Sequence, residues 1–383
     1  MRIAYVHTGL WPSKTPSMTF AAYNVIGLSK NADEVFFYIK RNSSRTADEV
    51  LEGEFGIARP QNLVIRQMAK PFFKTNRFYY RRIAREIIGR HGDTPFDAVI
   101  TRSLTFLPYL IRIGRSCNIP VYFETHDFFS DLEIRDDIGG RKKIKQKKIE
   151  RRYIPHISGL ICLQKAQKAL YQKIYPQAKI VVARTGIHRI ERSGRERKYV
   201  TYIGSLDPLK GVDLFIDALA RTNSRPDVLI IGGKNEREID RLEKSAGRYY
   251  PSEKIQITGW VGKESVDRFL KETAVGILPL QDTFFNRFVS SPLKLFDYYS
   301  YGVPVIASDL PATRELIDEG RTGCFFKAGD PDDLAEKIDD LLGDEDRIAR
   351  MSENIYSTSG KYLWEKRGKQ IIEMIRSYNE GVE

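Results

Sequence analysis

The chain contains 383 residues, of which 42% are hydrophobic and 29% charged, and its formal net charge at pH 7 is +12. This length and apolar content suit two domains with packed cores, and no internal repeat or low-complexity segment is present. No stretch approaches the ~20 consecutive apolar residues of a membrane-spanning helix, so none is expected.

Strand-like runs alternate with helical runs along the first half, which predicts parallel strands with helices on both faces of a sheet. The polar stretch 188–198 has no hydrophobic periodicity and is predicted to be a linker. The predicted strands before it are 2–6, 35–39, 63–66, 98–101, 121–124, 159–163 and 180–183.

The second half repeats this alternation after the predicted linker. Helical runs there include 212–221 and 331–342, and a last helical run covers 362–378. Two α/β domains with doubly wound parallel sheets are therefore predicted. The predicted strands of the second domain are 199–204, 228–232, 255–258, 275–279, 303–307 and 324–326.

The positive charge is concentrated in the first half of the chain. Residues 1–192 contain 34 Lys and Arg against 17 Asp and Glu, whereas the remainder contains 28 against 33. Two stretches stand out: 66–85, where cations alternate with aromatic residues, and 141–152, where eight of twelve residues are basic. Such stretches suit an anionic membrane surface, with a solvated helix face as the plain alternative. Nucleic acid would also be attracted, but no base-reading motif is present.

The cysteines and the first residues bear on location. Cys117, Cys162 and Cys324 are scattered, odd in number and unsuited by spacing to a metal site. This favours a reducing compartment over a disulfide framework. Because the chain starts directly with a strand-like run, no signal peptide is expected, and a cytoplasmic location is predicted.

Residues 290–315, SSPLKLFDYYSYGVPVIASDLPATRE, form the most informative segment. The pattern predicts a short helix with Ser291 as its N-cap and Pro292 in its first position, followed by a buried strand. The free backbone N–H groups at such a helix start, together with the helix dipole, favour a phosphate group.

This segment resembles the glycosyl transferases group 1, also called glycosyltransferase family 4, whose pattern is close to SPLKLFEYxxxGxPVxASDxPxxRE. The resemblance implies transfer of a sugar from a nucleotide diphosphate with retention of its anomeric configuration. It also implies the GT-B fold, in which two Rossmann-like domains face a cleft. The expected domains are the acceptor-side domain 1–190, the donor domain 191–361, and a helix, 362–383, that packs back on the first domain.

Residues 202–213, YIGSLDPLKGVD, are similar to the family element that holds the donor diphosphate with an Arg and a Lys. Lys210 matches the Lys and is predicted to be catalytic, whereas Ser205 stands in place of the Arg. Positioned donors stabilise the charge that builds on a departing diphosphate. No convincing Asp-x-Asp motif ends a strand, so Lys210 and the helix start are expected to replace a metal. No essential metal or other cofactor is predicted.

Asp297 occupies the place of the second Glu in the family's E-x7-E motif, which implies hydrogen bonds to the donor ribose. Val289 replaces the first Glu of that motif, so other residues are needed to contact the donor sugar. The candidates for this contact are Asn286, Arg287 and Ser290.

Further donor-binding candidates follow predicted strands or lie at the predicted helix start. Trp260 could stack on a base, or it could equally be a core or interface aromatic residue. The whole set of these further candidates comprises Gly9, Ser205, Gly232, Gly233, Trp260, Val261, Ser291, Pro292, Leu293 and Lys294.

Residues 122–127, YFETHD, end a predicted strand with a His-Asp pair. The family resemblance implies that His126 lies near the reacting centre. His126 is predicted to be catalytic by orienting the sugar or donating a hydrogen bond, with Asp127 fixing its tautomer. Glu124 is predicted to be structural.

The sequence therefore predicts a retaining glycosyltransferase that uses a UDP- or GDP-linked sugar. Its acceptor would be a glycan or a lipid-linked molecule at the cytoplasmic membrane face. Two alternatives remain: a non-catalytic protein that binds nucleotide sugars or glycolipids, or a GT-B epimerase or phosphorylase. The departures at Ser205 and Val289 motivate the first alternative. A nucleic-acid-binding protein is the least favoured.

Overall fold

A computed structural model describes residues 1–13, 15–69, 76–137 and 140–379 of the chain. It contains two compact units, Met1–Gly186 with Leu363–Glu383, and Ile187–Tyr362. Each unit is built on one parallel sheet with helices between its strands, so the predicted α/β class with two doubly wound sheets is confirmed. The domain boundaries predicted from the sequence fall after residues 190 and 361.

The first unit is built on a seven-stranded parallel sheet with the strand order β3-β2-β1-β4-β5-β6-β7. The central strands β4 and β5 are buried along their whole length, as expected for apolar runs covered on both sides. The strands are β1 (Arg2–Trp11), β2 (Glu34–Arg41), β3 (Leu63–Met68), β4 (Ala98–Thr101), β5 (Val121–Glu124), β6 (Gly159–Cys162) and β7 (Ile180–Val182).

Strand β1 is longer than predicted because, after an irregularity beyond Val6, it pairs again with β2 at Leu10 and Trp11.

Six α-helices lie between these strands in the described part of the chain. The helices are α1 (Pro16–Ser29), α2 (Ala47–Phe55), α3 (Arg77–Asp93), α4 (Leu107–Cys117), α5 (Arg141–Tyr153) and α6 (Lys165–Ile174).

The second unit is built on a six-stranded parallel sheet with the strand order β10-β9-β8-β11-β12-β13. Its strands are β8 (Tyr199–Ile203), β9 (Val228–Ile231), β10 (Ile255–Ile257), β11 (Thr273–Leu278), β12 (Val305–Ser308) and β13 (Gly323–Phe326). Its helices are α7 (Val212–Leu219), α8 (Glu236–Ala246), α9 (Lys263–Lys271), α10 (Phe284–Phe288), α11 (Leu293–Ser300), α12 (Pro311–Arg314), α13 (Pro331–Leu342) and α14 (Glu345–Thr358).

The last helix, α15 (Trp364–Asn379), belongs to the first unit and packs on α1. A Cβ atom on Gly27 would lie 2.2 Å from the carbonyl oxygen of Trp364, and one on Gly368 would lie 2.2 Å from that of Gly27. The two helix backbones can approach this closely only because both positions are glycine.

The stretch 188–198, predicted to be a linker, lies within the second unit and is tied to it by ion pairs. Arg189 pairs with Asp267 at 2.7 Å, and Arg192 pairs with Glu353 at 2.5 Å. The stretch directly follows the boundary between the two units and contains no helix or strand, as a linker would, but it is fixed to the second unit. Besides the ion pairs, the Arg197 guanidinium donates hydrogen bonds to the carbonyl oxygens of Tyr301 and Gly302. Because these contacts are polar, they leave no hydrophobic periodicity in the sequence.

The two sheets share one topological feature that locates ligand sites. In each sheet the first strand of the unit lies in the middle, and the chain moves to one side and then to the other. The order reverses between β1 and β4 in the first unit and between β8 and β11 in the second. In open α/β sheets, ligands bind beyond the carboxyl ends of the strands at such a reversal. Among the helices of the described residues, none is long and apolar enough to cross a membrane.

Candidate functional site

Glycines bring the loops after β8, β9 and β11 into close contact at the reversal point of the second sheet. A Cβ atom on Gly232 would lie 1.8 Å from the carbonyl oxygen of Gly204, and one on Gly211 would lie 1.7 Å from that of Pro279. Gly232 and Gly233 also have φ angles of 148° and 124°, which residues with a side chain rarely adopt. The backbone itself therefore forms the floor of this site.

Helix α11 is held over the same floor by Tyr298. The Tyr298 hydroxyl accepts a hydrogen bond from the Ile203 N–H and donates one to the Thr201 carbonyl oxygen, 2.8 Å away. The ring packs on Gly276 of β11, where a Cβ atom would lie 2.7 Å from the ring. These contacts fix the start of α11 at the carboxyl ends of β8 and β11.

The N-cap prediction for α11 was wrong by one residue. Pro292 occupies the cap position, the helix begins at Leu293, and no side chain caps it. Because the first N–H groups of a helix have no acceptor within the helix, those of Leu293 and Lys294 remain oriented toward the space before the helix. A phosphate-favouring helix start is therefore present without Ser291 as a cap.

Lys294 carries its ammonium group into this site. The Nζ atom is buried, lies 4.2 Å from the centroid of the Tyr202 ring, and has no hydrogen-bond partner among the described residues. Burial, and then the nearby charge of Lys210, lower the pKa of Lys294 to about 7. Lys210 itself is exposed and is the last residue of the 3-10 helix turn Pro208–Lys210. The charges of Lys294 and Lys210 thus act on each other, and neither group forms an ion pair with a described acid.

Asp297 lies one helical turn beyond this cluster and faces α9. Burial raises the pKa of its carboxyl group to about 6, although the charge of Lys263 opposes the shift. The Asp297 carboxylate makes no hydrogen bond to any residue in the described ranges. It therefore remains available as a hydrogen-bond acceptor, as the ribose prediction requires.

The candidates for sugar contact lie on and after α10. The Asn286 side-chain amide donates to the Gln281 carbonyl oxygen at 2.9 Å, and the Arg287 guanidinium pairs with Asp282. Ser290 is buried, and Val289 is fully buried in the core. Asn286 and Arg287 therefore hold the loop after β11 in shape, and a role in sugar contact stays a prediction.

The remaining donor candidates occupy different environments. Trp260 is 57% exposed, so the interpretation of a core aromatic residue was wrong. Val261 packs against the apolar cluster beside β9. The Ser205 hydroxyl accepts a hydrogen bond from the Asp207 N–H and so stabilises its own turn. Ser205 carries no charge, so it does not replace the Arg of the family element.

In the first unit, Glu124 rather than Asp127 orients His126. The Nε2 atom of His126 lies 2.5 Å from Oε1 of Glu124, which is fully buried. Burial would raise the pKa of Glu124, but the charge of Arg367 and the hydrogen bond to the His126 ring lower it to about 2. Asp127 instead accepts a hydrogen bond from Arg135 at 2.7 Å. The prediction that Asp127 fixes the tautomer was therefore wrong.

This geometry defines what His126 can do. Burial, and then the charge of Arg102, lower the pKa of His126 to about 4, so the ring is neutral near pH 7. An ionised Glu124 beside Nε2 requires the ring proton on that atom. Nδ1 then lacks a proton and can only accept a hydrogen bond. His126 is thus suited to accept from a hydroxyl group, not to donate to one.

Two residues near His126 were not predicted from the sequence. His7 is buried, and neither ring nitrogen has a hydrogen-bond partner among the described residues. Arg102 directly follows β4, and its position after a strand was a signal available in the sequence. Gly9 lies beside this pair, since a Cβ atom there would be 2.6 Å from Nε2 of His7.

The two basic stretches differ in how far the structure leaves them exposed. In α3, Tyr79 and Tyr80 are buried and only Phe78 is exposed, so most aromatic residues of this stretch that the structure describes face the core. Residues 70–75 lie outside the described residues. In α5, Ile144 is exposed, whereas Glu150 is buried and accepts hydrogen bonds from Ser130 and Tyr171. The outer surface of α5 therefore presents cations without acids.

A model of the family described as glycosyl transferases group 1 matches residues 197–344 of the chain. The D-inositol 3-phosphate glycosyltransferase of Corynebacterium urealyticum is 26% identical over 227 residues, which cover 55% of this chain and 52% of that protein. The chain thus spans about half the length of this curated relative. The family resemblance predicted from the sequence is confirmed over residues 197–344.

Two solved structures resemble almost the whole chain. The structure of Anabaena HepE in complex with UDP has a TM-score of 0.74 at 14% identity and covers 98% of this chain and 100% of that one. The apo form of the lipopolysaccharide outer core galactosyltransferase WaaB has a TM-score of 0.69 at 17% identity, with 98% and 99% covered. These likenesses show the GT-B fold.

Proposed function

We propose that this protein, whose second unit is a group 1 glycosyl transferase domain, transfers a sugar from a nucleoside diphosphate to a glycan or lipid-linked acceptor. One observation carries the proposal: the Lys294 ammonium group is buried at the reversal point of the second sheet without a hydrogen bond or ion pair to the described residues, and the charge of Lys210 acts on it. A buried amino group without a hydrogen bond is costly unless a ligand compensates it. A diphosphate is the ligand that this place in the fold and this charge favour.

The proposed chemistry follows from the charge that develops during transfer. As the bond to the sugar breaks, negative charge builds on the departing diphosphate, and preorganised cations and N–H groups stabilise it. Lys210, Lys294 and the start of α11 would supply these groups, while Asp297 would accept hydrogen bonds from the ribose. His126, neutral and accepting at Nδ1, would orient a hydroxyl group of the sugar. The acceptor hydroxyl would attack on the face of the leaving group, pass its proton to an oxygen of the departing diphosphate, and so retain the anomeric configuration.

We expect no essential metal because the cations of the chain supply the charge that a metal would otherwise provide. The experiment is turnover of UDP-glucose and GDP-mannose by the pure protein in EDTA, with product configuration read from the anomeric proton by NMR. Metal-independent turnover with retention supports the proposal. Activity that requires a divalent cation contradicts the role given to the helix start, and inversion contradicts same-face attack. Binding without turnover on any acceptor would favour the non-catalytic alternative.

The donor nucleotide and the acceptor are inferred from the relatives. HepE is described in complex with UDP, and WaaB is named for the lipopolysaccharide outer core, which is a lipid-anchored glycan. We therefore favour a UDP-linked sugar, with GDP as the other base to test. Thermal-shift measurements would rank the nucleotides, because a ligand at about 100 times its Kd stabilises by about 2.7 kcal/mol.

We further propose that the first unit associates peripherally with the cytoplasmic face of an anionic membrane. A cavity of about 410 Å³ between α4 and α5 is lined without any acidic residue. Cations beside exposed apolar side chains such as Ile144 suit the headgroup layer. The residues that line the cavity are Pro108, Ile111, Arg112, Arg115, Ser116, Arg152, Tyr153 and His156.

Co-sedimentation with vesicles tests this membrane contact. The variant carries Lys142→Glu, Lys145→Glu and Lys148→Glu on α5, and the matched control carries Lys234→Glu, Arg237→Glu and Lys244→Glu, all exposed, in the second unit. We expect binding to vesicles with anionic lipid to fall in the α5 variant only, by about 1 kcal/mol per charge removed. Equal losses in both variants would show that only net charge matters.

A further inference from the structure

We propose that the acceptor carries an anionic group, a phosphate or a carboxylate, and that Arg102 binds it at the reversal point of the first sheet. This inference rests on the proposed function, since it names the substrate class of that reaction. The proposed site consists of residues that follow strands β1, β4 and β5 or lie near their carboxyl ends, namely 7–9, 102–103 and 126. Ligands of open α/β sheets bind at this position.

Arg102 is a cation without an acidic partner. One terminal nitrogen of its guanidinium donates to the Ser17 carbonyl oxygen at 2.6 Å, and the group lies 4.9 Å from the centroid of the Phe20 ring. It forms no ion pair with any acid in the part of the chain that the structure describes. Burial lowers the pKa of Arg102, which reflects the cost of keeping this charge away from water. A guanidinium held in this way retains unused N–H donors for an anion.

The nearby acid is already occupied. Glu124 pairs with Arg367 at 3.1 Å, and it also receives hydrogen bonds from Asn24 at 3.0 Å and from the Tyr5 hydroxyl. Its remaining contact is with the His126 ring. The charges of Glu124 and Arg367 therefore balance each other, and the charge of Arg102 remains in excess.

His7 is a second, independent sign of a ligand. Its ring is 7% exposed, and neither nitrogen has a hydrogen-bond partner within the described ranges. Buried polar groups in folded proteins are nearly always paired, so each exception needs an explanation. In the parallel pairing of β1 with β4, Val6 lies beside Thr101, so His7 and Arg102 are the next residues along two neighbouring strands. Glycine at position 9 also leaves the space beside Nε2 of His7 without a Cβ atom.

Two of these side chains, those of His126 and Arg102, contact the same ring. Phe20 contacts His126 edge to face, with centroids 4.5 Å apart, and supports Arg102 on its face. Next to them, the Thr8 N–H and hydroxyl both donate to the Ser103 hydroxyl, at 3.1 and 2.9 Å. A neutral His7 can donate from one nitrogen and accept at the other. The site therefore suits a ligand that has an anionic group next to a hydroxyl group.

The test follows the histidine resonances by NMR while inorganic phosphate replaces chloride at constant pH and ionic strength. The chain has only five histidines, and a His7→Gln variant assigns the relevant signal. In the wild-type protein we expect saturable shifts of the His7 and His126 signals. Arg102→Gln should abolish them, and Arg102→Lys should retain a weakened response because the charge remains. A wild-type titration without these shifts overturns the inference.

The control is Arg41→Gln, which removes an exposed arginine at the carboxyl end of β2. It should respond to phosphate as the wild type does, and an equal loss in both variants overturns a specific site. A second titration is made with the protein saturated with UDP. If UDP abolishes the phosphate response, the anion belongs to the donor, and the assignment to the acceptor is wrong. A persistent response supports it.

An activity measurement separates this inference from the proposed function. Among acceptors that the wild type uses, those with a phosphate or carboxylate should lose at least about tenfold in kcat/KM in Arg102→Gln, mainly through KM. Use of uncharged acceptors alone overturns the inference while leaving the proposed function intact. Phosphate shifts at His7 without any turnover of a nucleotide sugar overturn the proposed function instead.

Discussion

The sheets of the two units have the same strand order, apart from the additional strand β7 in the first, but their reversal points carry different charges. In the second unit, neither Lys210 nor Lys294 forms an ion pair with a described acid, and the floor is bare backbone. In the first unit, the buried carboxylate of Glu124 neutralises Arg367 and orients His126, so the charge of Arg102 remains in excess. The strand order is thus shared, whereas the side chains that follow the strands determine how far the charges are balanced.

The largest expected effect comes from a substitution that breaks the buried ion pair of the first unit. Glu124→Gln should destabilise the unit by about 3–5 kcal/mol, because it leaves Arg367 buried without its counter-charge. Chemical unfolding followed by circular dichroism measures the loss. Arg192→Met, which breaks the exposed pair with Glu353, is the control and should have little effect. Similar losses of stability in both variants would show that the buried pair stabilises the unit no more than the exposed pair does.

The second prediction concerns the proposed donor site of the second unit, where Lys210 and Lys294 have no acidic partner among the described residues. Lys210→Ala should lower kcat by about 10²–10³, because a preorganised cation is lost where charge develops. Initial rates at saturating UDP-glucose measure the change, and Lys234→Ala, an exposed lysine after β9, is the control. An unchanged kcat with a raised KM would mean that Lys210 binds the ground state and the transition state equally.

The third prediction uses the pKa values of Lys294 and Asp297. The donor should bind better as pH rises through about 6, where Asp297 ionises, and less well as pH rises above about 7, where Lys294 loses its proton. The affinity for UDP-glucose, measured by calorimetry from pH 5 to 9, should therefore peak near neutrality. Each limb should change by at most about tenfold per pH unit.

Variants assign the two limbs of this profile. Asp297→Asn should flatten the acid limb and leave the alkaline limb, and Lys294→Met should do the reverse. A nucleotide sugar is the suitable ligand because its phosphates, unlike those of UDP, do not titrate in this range. A profile that neither variant changes would remove both residues from the donor site.

The smallest expected effect is a gain in stability. At pH 6 the Lys294 ammonium is charged in both the folded and the unfolded chain, but it loses its hydration on folding. Lys294→Met removes this cost and should therefore raise the Tm by a few degrees. The pKa of Lys294 is lowered in the folded state, so the unfolded chain binds more protons between about pH 7 and its usual value. Wild-type stability therefore rises with pH in that window, and the advantage of the variant should shrink. An advantage independent of pH would indicate a packing effect.

The sequence predicted the strands well because buried parallel strands are short apolar runs between turn residues. All thirteen strands lie within a few residues of the predicted ranges. The 188–198 stretch was predicted as a linker from its lack of periodicity, but its ion pairs with Asp267 and Glu353 could not be predicted, because these acids lie far away in the sequence. The sequence did not reveal that Tyr79 and Tyr80, which lie in the first basic stretch, belong to the buried face of α3.

Local patterns in the sequence were sufficient to predict the α/β class, the family resemblance of residues 197–344 and the segment proposed to bind a diphosphate. The balance of the buried charges, in contrast, is visible only in the tertiary structure. Glu124 meets Arg367 across 243 positions of sequence, and Lys294 meets Tyr202 from another element of the fold. Whether a buried charge is paired depends on contacts distant in the chain, and no local pattern encodes them.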